Sequence, residues 1–175
     1  MDELTEAAAR ESVRRAATSA GEWIAGLRPW DLFGTLTYDP DRCAKQWTTF
    51  GWDQVPRPVS NHQAERDFFG WINDVCGSLG RPIEFVAALE YQKNGWPHFH
   101  ALLHVGGLTD GDAGRIRWLW NRRHGYVRLE PPRSVANCAA YVSKHIGDDL
   151  SKGDILFSKG ISQPRPRPLA DGSLT

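Results

Sequence analysis

The spacing of hydrophobic and polar positions divides the chain into alternating helices and strands. Helical spacing or helix-forming composition predicts helices over residues 4–27, 62–79, 110–121 and 134–146, with Asn61 and Ser134 as N-caps of the second and the last. Runs of aromatic and β-branched residues predict strands over 30–38, 83–91, 96–105, 126–130 and 155–159. Residues 39–60 show no clear period and are predicted to form a long loop. The expected class is α+β: a central antiparallel sheet of five strands with helices packed on one face.

Length and composition favour a single globular domain. The chain has 175 residues, of which 41% are hydrophobic, enough for a substantial core. We expect a peripheral helix over residues 1–29, a central domain over 30–160 and an extended proline-rich tail over 161–175. Three scattered cysteines, Cys43, Cys76 and Cys138, allow neither a disulfide framework nor a CxxC zinc site. With an acidic start and no long apolar run, the sequence favours a cytoplasmic protein without a secretory signal or membrane span.

The charges are balanced overall but unevenly distributed. Residues 1–80 carry a net charge of −4, residues 81–175 carry +4, and six arginines between Arg115 and Arg133 face a single acid, Glu130. Such a cluster is able to bind phosphates, although a solvated helix face with incidental arginines is an equal alternative.

A candidate metal site lies in the segment "HFH". Alternate side chains of a strand share a face, so His98 and His100 point together. Glu90 joins them if residues 93–95 form a three-residue loop closed by a left-handed Gly95, because Glu90 then pairs with His98. A two-residue loop would place Glu90 on the opposite face, since a slip of one residue reverses the face. The loop length therefore decides whether this site exists.

The type of ligand favours a catalytic rather than a structural metal. Two imidazoles and one carboxylate leave positions open for water and substrate, which suits Mn²⁺ or Mg²⁺ better than a closed zinc site, although zinc is not excluded. His104 lies on the same face but four residues beyond His100, and is expected to be a neighbour of the site or a core residue rather than a ligand. Pro97 donates no hydrogen bond, which predicts that this strand begins at a sheet edge or is irregular.

A candidate nucleophile lies on the last predicted helix. Tyr141 and Lys144 fall on its polar face, opposite the apolar Val135, Ala139 and Val142. A phenol is a weak nucleophile at neutral pH, but a metal-polarised phosphate and a nearby ammonium would favour its attack. Together with the metal site, this helix indicates phosphoryl transfer.

Three segments in order, "FGTLT" (33–37), "HFH" (98–100) and "YVSK" (141–144), resemble the motifs of HUH endonucleases. The chain is most similar to the rolling-circle replication initiators of bacterial plasmids and phages, and the resemblance covers residues 30 to 160. It implies that Glu90, His98 and His100 bind a divalent cation, Mn²⁺ or Mg²⁺. It also implies that Tyr141 attacks single-stranded DNA at a replication origin, becomes joined to the 5′-phosphate and releases a free 3′-hydroxyl. Rejoining is the reverse reaction.

The resemblance also assigns supporting roles. Lys144 would position or neutralise the phosphate or the tyrosine, and the threonines of "FGTLT" would support the site. The uneven charge distribution, and not the resemblance, supplies the candidates for DNA contacts, which are Arg115, Arg117, Arg122, Arg123 and Arg128. Because His145 occupies the place where two-tyrosine initiators carry a second tyrosine, we expect a single-tyrosine enzyme. A host polymerase would extend the 3′-hydroxyl. A helicase, whose GxxxxGK[ST] motif these 175 residues lack, would be a separate partner or a further part of a longer natural protein.

Two other functions are compatible with these motifs. Single-tyrosine transposases and conjugative relaxases use the same chemistry on other DNA ends. A non-catalytic domain that binds single-stranded nucleic acid would use its aromatic residues for stacking and its arginines for phosphates, and would not need Tyr141.

Overall fold

The computed structural model describes residues 3–47, 58–143, 155–159 and 161. The helices in these ranges are α1 (Glu3–Leu27), α2 (Pro40–Trp47), α3 (Asn61–Leu79), α4 (Asp110–Asn121) and α5 (Val135–Ser143). The strands are β1 (Leu32–Tyr38), β2 (Glu84–Tyr91), β3 (Pro97–His104), β4 (Gly125–Glu130) and β5 (Ile155–Phe157). Among the described helices, none combines the length and hydropathy needed to cross a membrane.

The strands form one open antiparallel sheet in the order β4-β1-β3-β2-β5. This confirms the predicted α+β class and its five-stranded sheet. The edge position that Pro97 suggested for the start of β3 is wrong, because β3 is the central strand. Pro97 is the first residue of β3, a position where a missing hydrogen-bond donor is tolerated.

Helices cover both faces of the sheet, not one as predicted. On the α3/α4 face, Phe68, Trp71 and Trp120 pack against Phe99 and the other inward residues of the strands. On the α1/α5 face, Ile24, Ala139 and Val142 pack against Val86, Ala88 and Leu102. The residues from Phe85 to Leu89 are all buried, and such a continuous apolar run in place of alternation is typical of a strand covered on both sides.

The predicted long loop over residues 39–60 contains a helix, α2. Asp39 caps it, because its Oδ1 accepts hydrogen bonds from the N–H groups of Asp41 (3.1 Å) and Arg42 (3.4 Å). Pro40 occupies the first helical position, where its fixed φ favours a helix start. The Asp-Pro pair thus starts a helix and not merely a turn. Residues 48–57 of the predicted loop lie outside the described residues.

Helix α3 begins where predicted but has a different cap. Ser60, not Asn61, is the N-cap, and its hydroxyl accepts a hydrogen bond from the N–H of Gln63 at 3.2 Å. Ser134 caps α5 as predicted, accepting from the N–H of Asn137 at 3.2 Å. The predicted end of α5, near Ile146, lies outside the described residues, as does the tail from residue 162 onward.

Helix α1 packs directly on α5. The buried hydroxyl of Ser143 donates to the carbonyl of Ala17 at 2.8 Å, and Gly21 lies against the backbone of Ala140. At the end of α1, Trp30 Nε1 donates to the carbonyl of Ile24 at 2.8 Å. Helix α1 therefore helps to fix the position of α5, which carries the candidate nucleophile.

Candidate active site

The hairpin between β2 and β3 places the three candidate metal ligands on one face. Gln92 pairs with Trp96 across a three-residue loop, and Gly95 has a φ of 81°, a left-handed conformation that favours glycine. Glu90 is consequently opposite His98 in the register. The three-residue loop predicted as the condition for this site is confirmed.

The side chains of Glu90, His98 and His100 converge on one point. The two histidine Nε2 atoms are 2.9 Å apart, and Glu90 Oε2 lies 3.4 Å from His98 Nε2 and 3.7 Å from His100 Nε2. All three side chains are only 10–16% exposed. For metal–ligand bonds of about 2.1 Å, adjacent octahedral ligand atoms are about 3.0 Å apart, close to the shortest of these separations. The trio therefore has both the atom types and the spacing to bind a divalent cation.

The ring of His100 is held by residues of β1. Its Nδ1 lies 3.1 Å from Thr35 Oγ1, which leaves Nε2 directed at the other two ligands. A partner on the second ring nitrogen of this kind sets the orientation and tautomer of a metal-binding histidine. Phe33 stacks on the same ring, with centroids 6.0 Å apart and planes at 12°. Thr35, which the sequence indicated only as support for the site, has a specific contact there, and Phe33 is a site residue that sequence reasoning missed.

Helix α5 brings Tyr141 to this trio. The Tyr141 hydroxyl donates a long hydrogen bond, 3.5 Å, to Glu90 Oε2, and its ring meets that of His100 edge-on with centroids 4.6 Å apart. Tyr141 is 40% exposed, whereas Ala139 and Val142 on the other side of α5 are fully buried. The polar and apolar faces predicted for this helix are thus present in its described part. The phenol stands beside the candidate ligands and open to solvent.

Of the other predicted residues, His104 lies away from the trio and two fall outside the described residues. Lys144 and His145 fall outside the described residues. His104, expected to be a neighbour of the trio or a core residue, lies at the far end of β3, where its Nδ1 is 2.9 Å from the carbonyl oxygen of Pro29 and 3.1 Å from Asp31 Oδ2.

The five arginine candidates do not form one cluster. Arg115 and Arg117 lie on α4, and Arg122 and Arg123 follow it, on the side of the sheet away from the trio. Arg115 donates to the carbonyl of Ser78 at 3.0 Å, while Arg122 and Arg123 form ion pairs with Asp74 at 3.6 Å and 2.5 Å. Only Arg128 of the five lies on a strand, β4.

A second polar cluster lies on the α3/α4 face. Asp67 accepts hydrogen bonds from the hydroxyl of Tyr38 at 3.0 Å and from Gln63 Nε2 at 2.7 Å, and His124 Nδ1 is 3.6 Å away. Burial raises the pKa of Tyr38, and the Asp67 carboxylate adds to that shift. Burial also lowers the pKa of His124 and raises that of Cys43 to about 11. Tyr38, His124 and Cys43 are therefore held in their neutral forms, and the hydrogen bond between Tyr38 and Asp67 joins β1 to α3.

One comparison with known proteins supports a replication function. The model of one protein family, described as replication-associated protein ORF2, matches residues 31–150. Neither the comparison with curated proteins nor that with solved structures found a match. The matched residues make up more than half of the chain and include the trio and Tyr141. The chain therefore belongs to this replication-associated protein family, a family of replication initiators.

Proposed function

We propose that this protein is a rolling-circle replication initiator endonuclease, which nicks single-stranded DNA at a replication origin with Tyr141 as the nucleophile. The observation that carries the proposal is the position of the Tyr141 hydroxyl, 3.5 Å from the candidate metal ligand Glu90. Family membership supports the choice of replication over transposition or conjugation.

The proposed cleavage exchanges one phosphodiester for another. The Tyr141 oxygen loses its proton and forms a bond to the scissile phosphorus, and the bond between phosphorus and the 3′-oxygen breaks. That oxygen takes up a proton and leaves as a free 3′-hydroxyl, while the 5′-phosphate remains joined to Tyr141. Because one ester bond replaces another, the same groups rejoin the strand by the reverse reaction. The 3′-hydroxyl is the end that a host polymerase would extend.

Residues around the trio have distinct roles in this reaction. Glu90, His98 and His100 would hold a divalent cation, Mn²⁺ or Mg²⁺, which supplies Lewis-acid polarisation of a phosphate oxygen when bound. Glu90 accepts the hydrogen bond of Tyr141 and so orients the phenol. The edge-on contact of the phenol with His100 limits its rotation further. Lys144 would neutralise negative charge on the phosphate or the tyrosine, as the resemblance implies.

The decisive experiment is the capture of a protein–DNA adduct. The protein is incubated with Mn²⁺ and single strands tiled across its replicon, each labelled at one end. Wild type should bind a 3′ label covalently and should convert a 5′-labelled strand to a shorter product that a polymerase extends. Tyr141→Phe should form no adduct.

The matched control is Tyr91→Phe, which changes another exposed tyrosine at the end of β2, next to Glu90. It should retain the adduct. The proposal is wrong if wild type forms no adduct with any divalent cation, or if Tyr141→Phe still forms one. Retained DNA binding without an adduct would indicate the non-catalytic binding domain.

A further inference from the structure

The edge strand β4 continues the face of the sheet that carries the trio. Tyr126 is opposite Thr37 in the register, and Thr37 is opposite His98 on its other side. Directly opposite residues in an antiparallel pair point to the same face. Tyr126 therefore lies on the α1/α5 face, in the same row as His98 and Glu90. Neighbouring strands are about 4.8 Å apart, so its Cα is about 10 Å from that of His98.

Arg128 extends the next row of the same face. It is opposite Thr35, which in turn is opposite His100. The burial of β4 alternates strictly, with Tyr126 and Arg128 exposed and Val127 and Leu129 buried. An aromatic ring and a guanidinium thus stand side by side on the open part of the site face, two strands away from the trio.

The side chain of Tyr126 is the most exposed large hydrophobic one that the structure describes, at 63%. This side chain makes no hydrogen bond or ring contact to other described residues. Single exposed aromatics are ordinary. Its position distinguishes it, because the other strongly exposed aromatic, Trp118 at 57%, lies on α4 behind the sheet and under Arg122. Of these two residues, only Tyr126 lies on the face of the candidate active site.

Arg128 is available for a new partner. It pairs with Glu130 at 2.9 Å, but its side chain is 73% exposed and that of Glu130 is 40% exposed. Exposed pairs of this kind contribute little stability and are easily exchanged. The arginines after α4 are instead engaged with Asp74 of α3.

We infer that Tyr126 and Arg128 form the binding track for the single strand beside the scissile phosphate, with Tyr126 stacked on a base and Arg128 paired with a backbone phosphate. Tyrosine rings accept the face of any base, and an adjacent arginine adds charge for the backbone. The inference rests on the proposed function for its choice of ligand. Of the five arginine candidates, the inference assigns a DNA contact to Arg128 alone.

The test is a binding measurement that does not require cleavage. Binding of a fluorescein-labelled dT20 strand is followed by anisotropy in EDTA. Tyr126→Ala should weaken binding about 5- to 150-fold, the effect of removing one stacked base, whereas Tyr126→Phe should bind as wild type does. Trp118→Ala, the matched change behind the sheet, should have no effect. Equal affinities of wild type and Tyr126→Ala, or a loss in Trp118→Ala of the same size, would overturn the inference.

The salt dependence tests Arg128 separately. One phosphate contact on a single strand contributes about 0.7 to the slope of log K against log salt, so Arg128→Ala should lower the slope by about that amount. Arg117→Ala, which removes an exposed arginine of α4, should leave the slope unchanged. An unchanged slope for Arg128→Ala contradicts the assignment of the phosphate contact.

The two proposals fail in different ways. If the adduct forms at Tyr141 but Tyr126→Ala binds dT20 normally, only the binding track is wrong. If no adduct forms but Tyr126→Ala loses affinity, the track stands and the nicking proposal fails.

Discussion

The close contact between α1 and α5 predicts that replacing a glycine by alanine changes the stability less favourably in α1 than in α3. A Cβ added at Gly21 would lie 3.0 Å from Ala140 Cα, 3.1 Å from Ala140 N and 3.1 Å from Ser143 Oγ. Carbon atoms pack best at about 3.5–4.0 Å, so α1 and α5 would have to separate by about 0.5 Å. At Gly70 in α3, the added Cβ meets nothing within 4 Å.

Two contributions determine the stability of Gly21→Ala. The change from glycine to alanine in a helix interior stabilises by about 0.8–1.0 kcal/mol, while forced overpacking costs about 1–3 kcal/mol. Gly70→Ala gains the helix propensity of alanine without the overpacking cost, so we expect it to raise the free energy of unfolding by about 0.8–1.0 kcal/mol. Gly21→Ala should be about 1–3 kcal/mol less stable than Gly70→Ala, the size of the overpacking term.

Urea unfolding at 25 °C, with linear extrapolation to water, measures this difference.

The separation of α1 from α5 in Gly21→Ala would also move Tyr141. Because a misplacement of about 1 Å can reduce a rate 100-fold, a shift of about half that size should slow adduct formation roughly tenfold in Gly21→Ala. If Gly21→Ala is as stabilising as Gly70→Ala, the close approach of α1 to α5 is not real and the reasoning is refuted.

Two further predictions concern polar contacts. Thr35→Val removes the hydroxyl that contacts His100 Nδ1, so it should weaken Mn²⁺ binding, measured by calorimetry, about 10- to 100-fold. Thr37→Val does not remove that contact and should leave the Mn²⁺ affinity unchanged. Equal affinities of the two variants would exclude this role of Thr35. Burial lowers the pKa of His124 below its unfolded value of about 6.5. Below about pH 6.5 the unfolded chain therefore binds more protons at this residue than the folded protein does, and the free energy of unfolding falls as the pH falls. Urea unfolding between pH 7 and 5 should show a smaller loss for His124→Gln than for wild type, and equal losses would contradict that assignment.

Much of the fold follows from local patterns in the sequence. The helix capped by Ser134 and the β2–β3 hairpin are encoded by residues close together in the chain, which is why their positions were predictable. The start of α2 was also encoded locally, in Asp39-Pro40, but that pair is typical of both turns and helix starts. The covering of both faces was visible only as the unbroken apolar run from Phe85 to Leu89, a pattern that a buried helix segment shares.

The sequence by itself determined that His98 and His100 share a face, because side chains alternate along a strand. It limited Glu90 to two registers, of which the three-residue loop in the structure selects the one that places Glu90 opposite His98. Only the tertiary structure decided that Thr35 supports His100, that Tyr141 reaches Glu90 and that Tyr126 lies in the row of the ligands. Those contacts join residues far apart in the chain. They depend on the strand order β4-β1-β3-β2 and on the packing of α5 against α1, neither of which local spacing specifies.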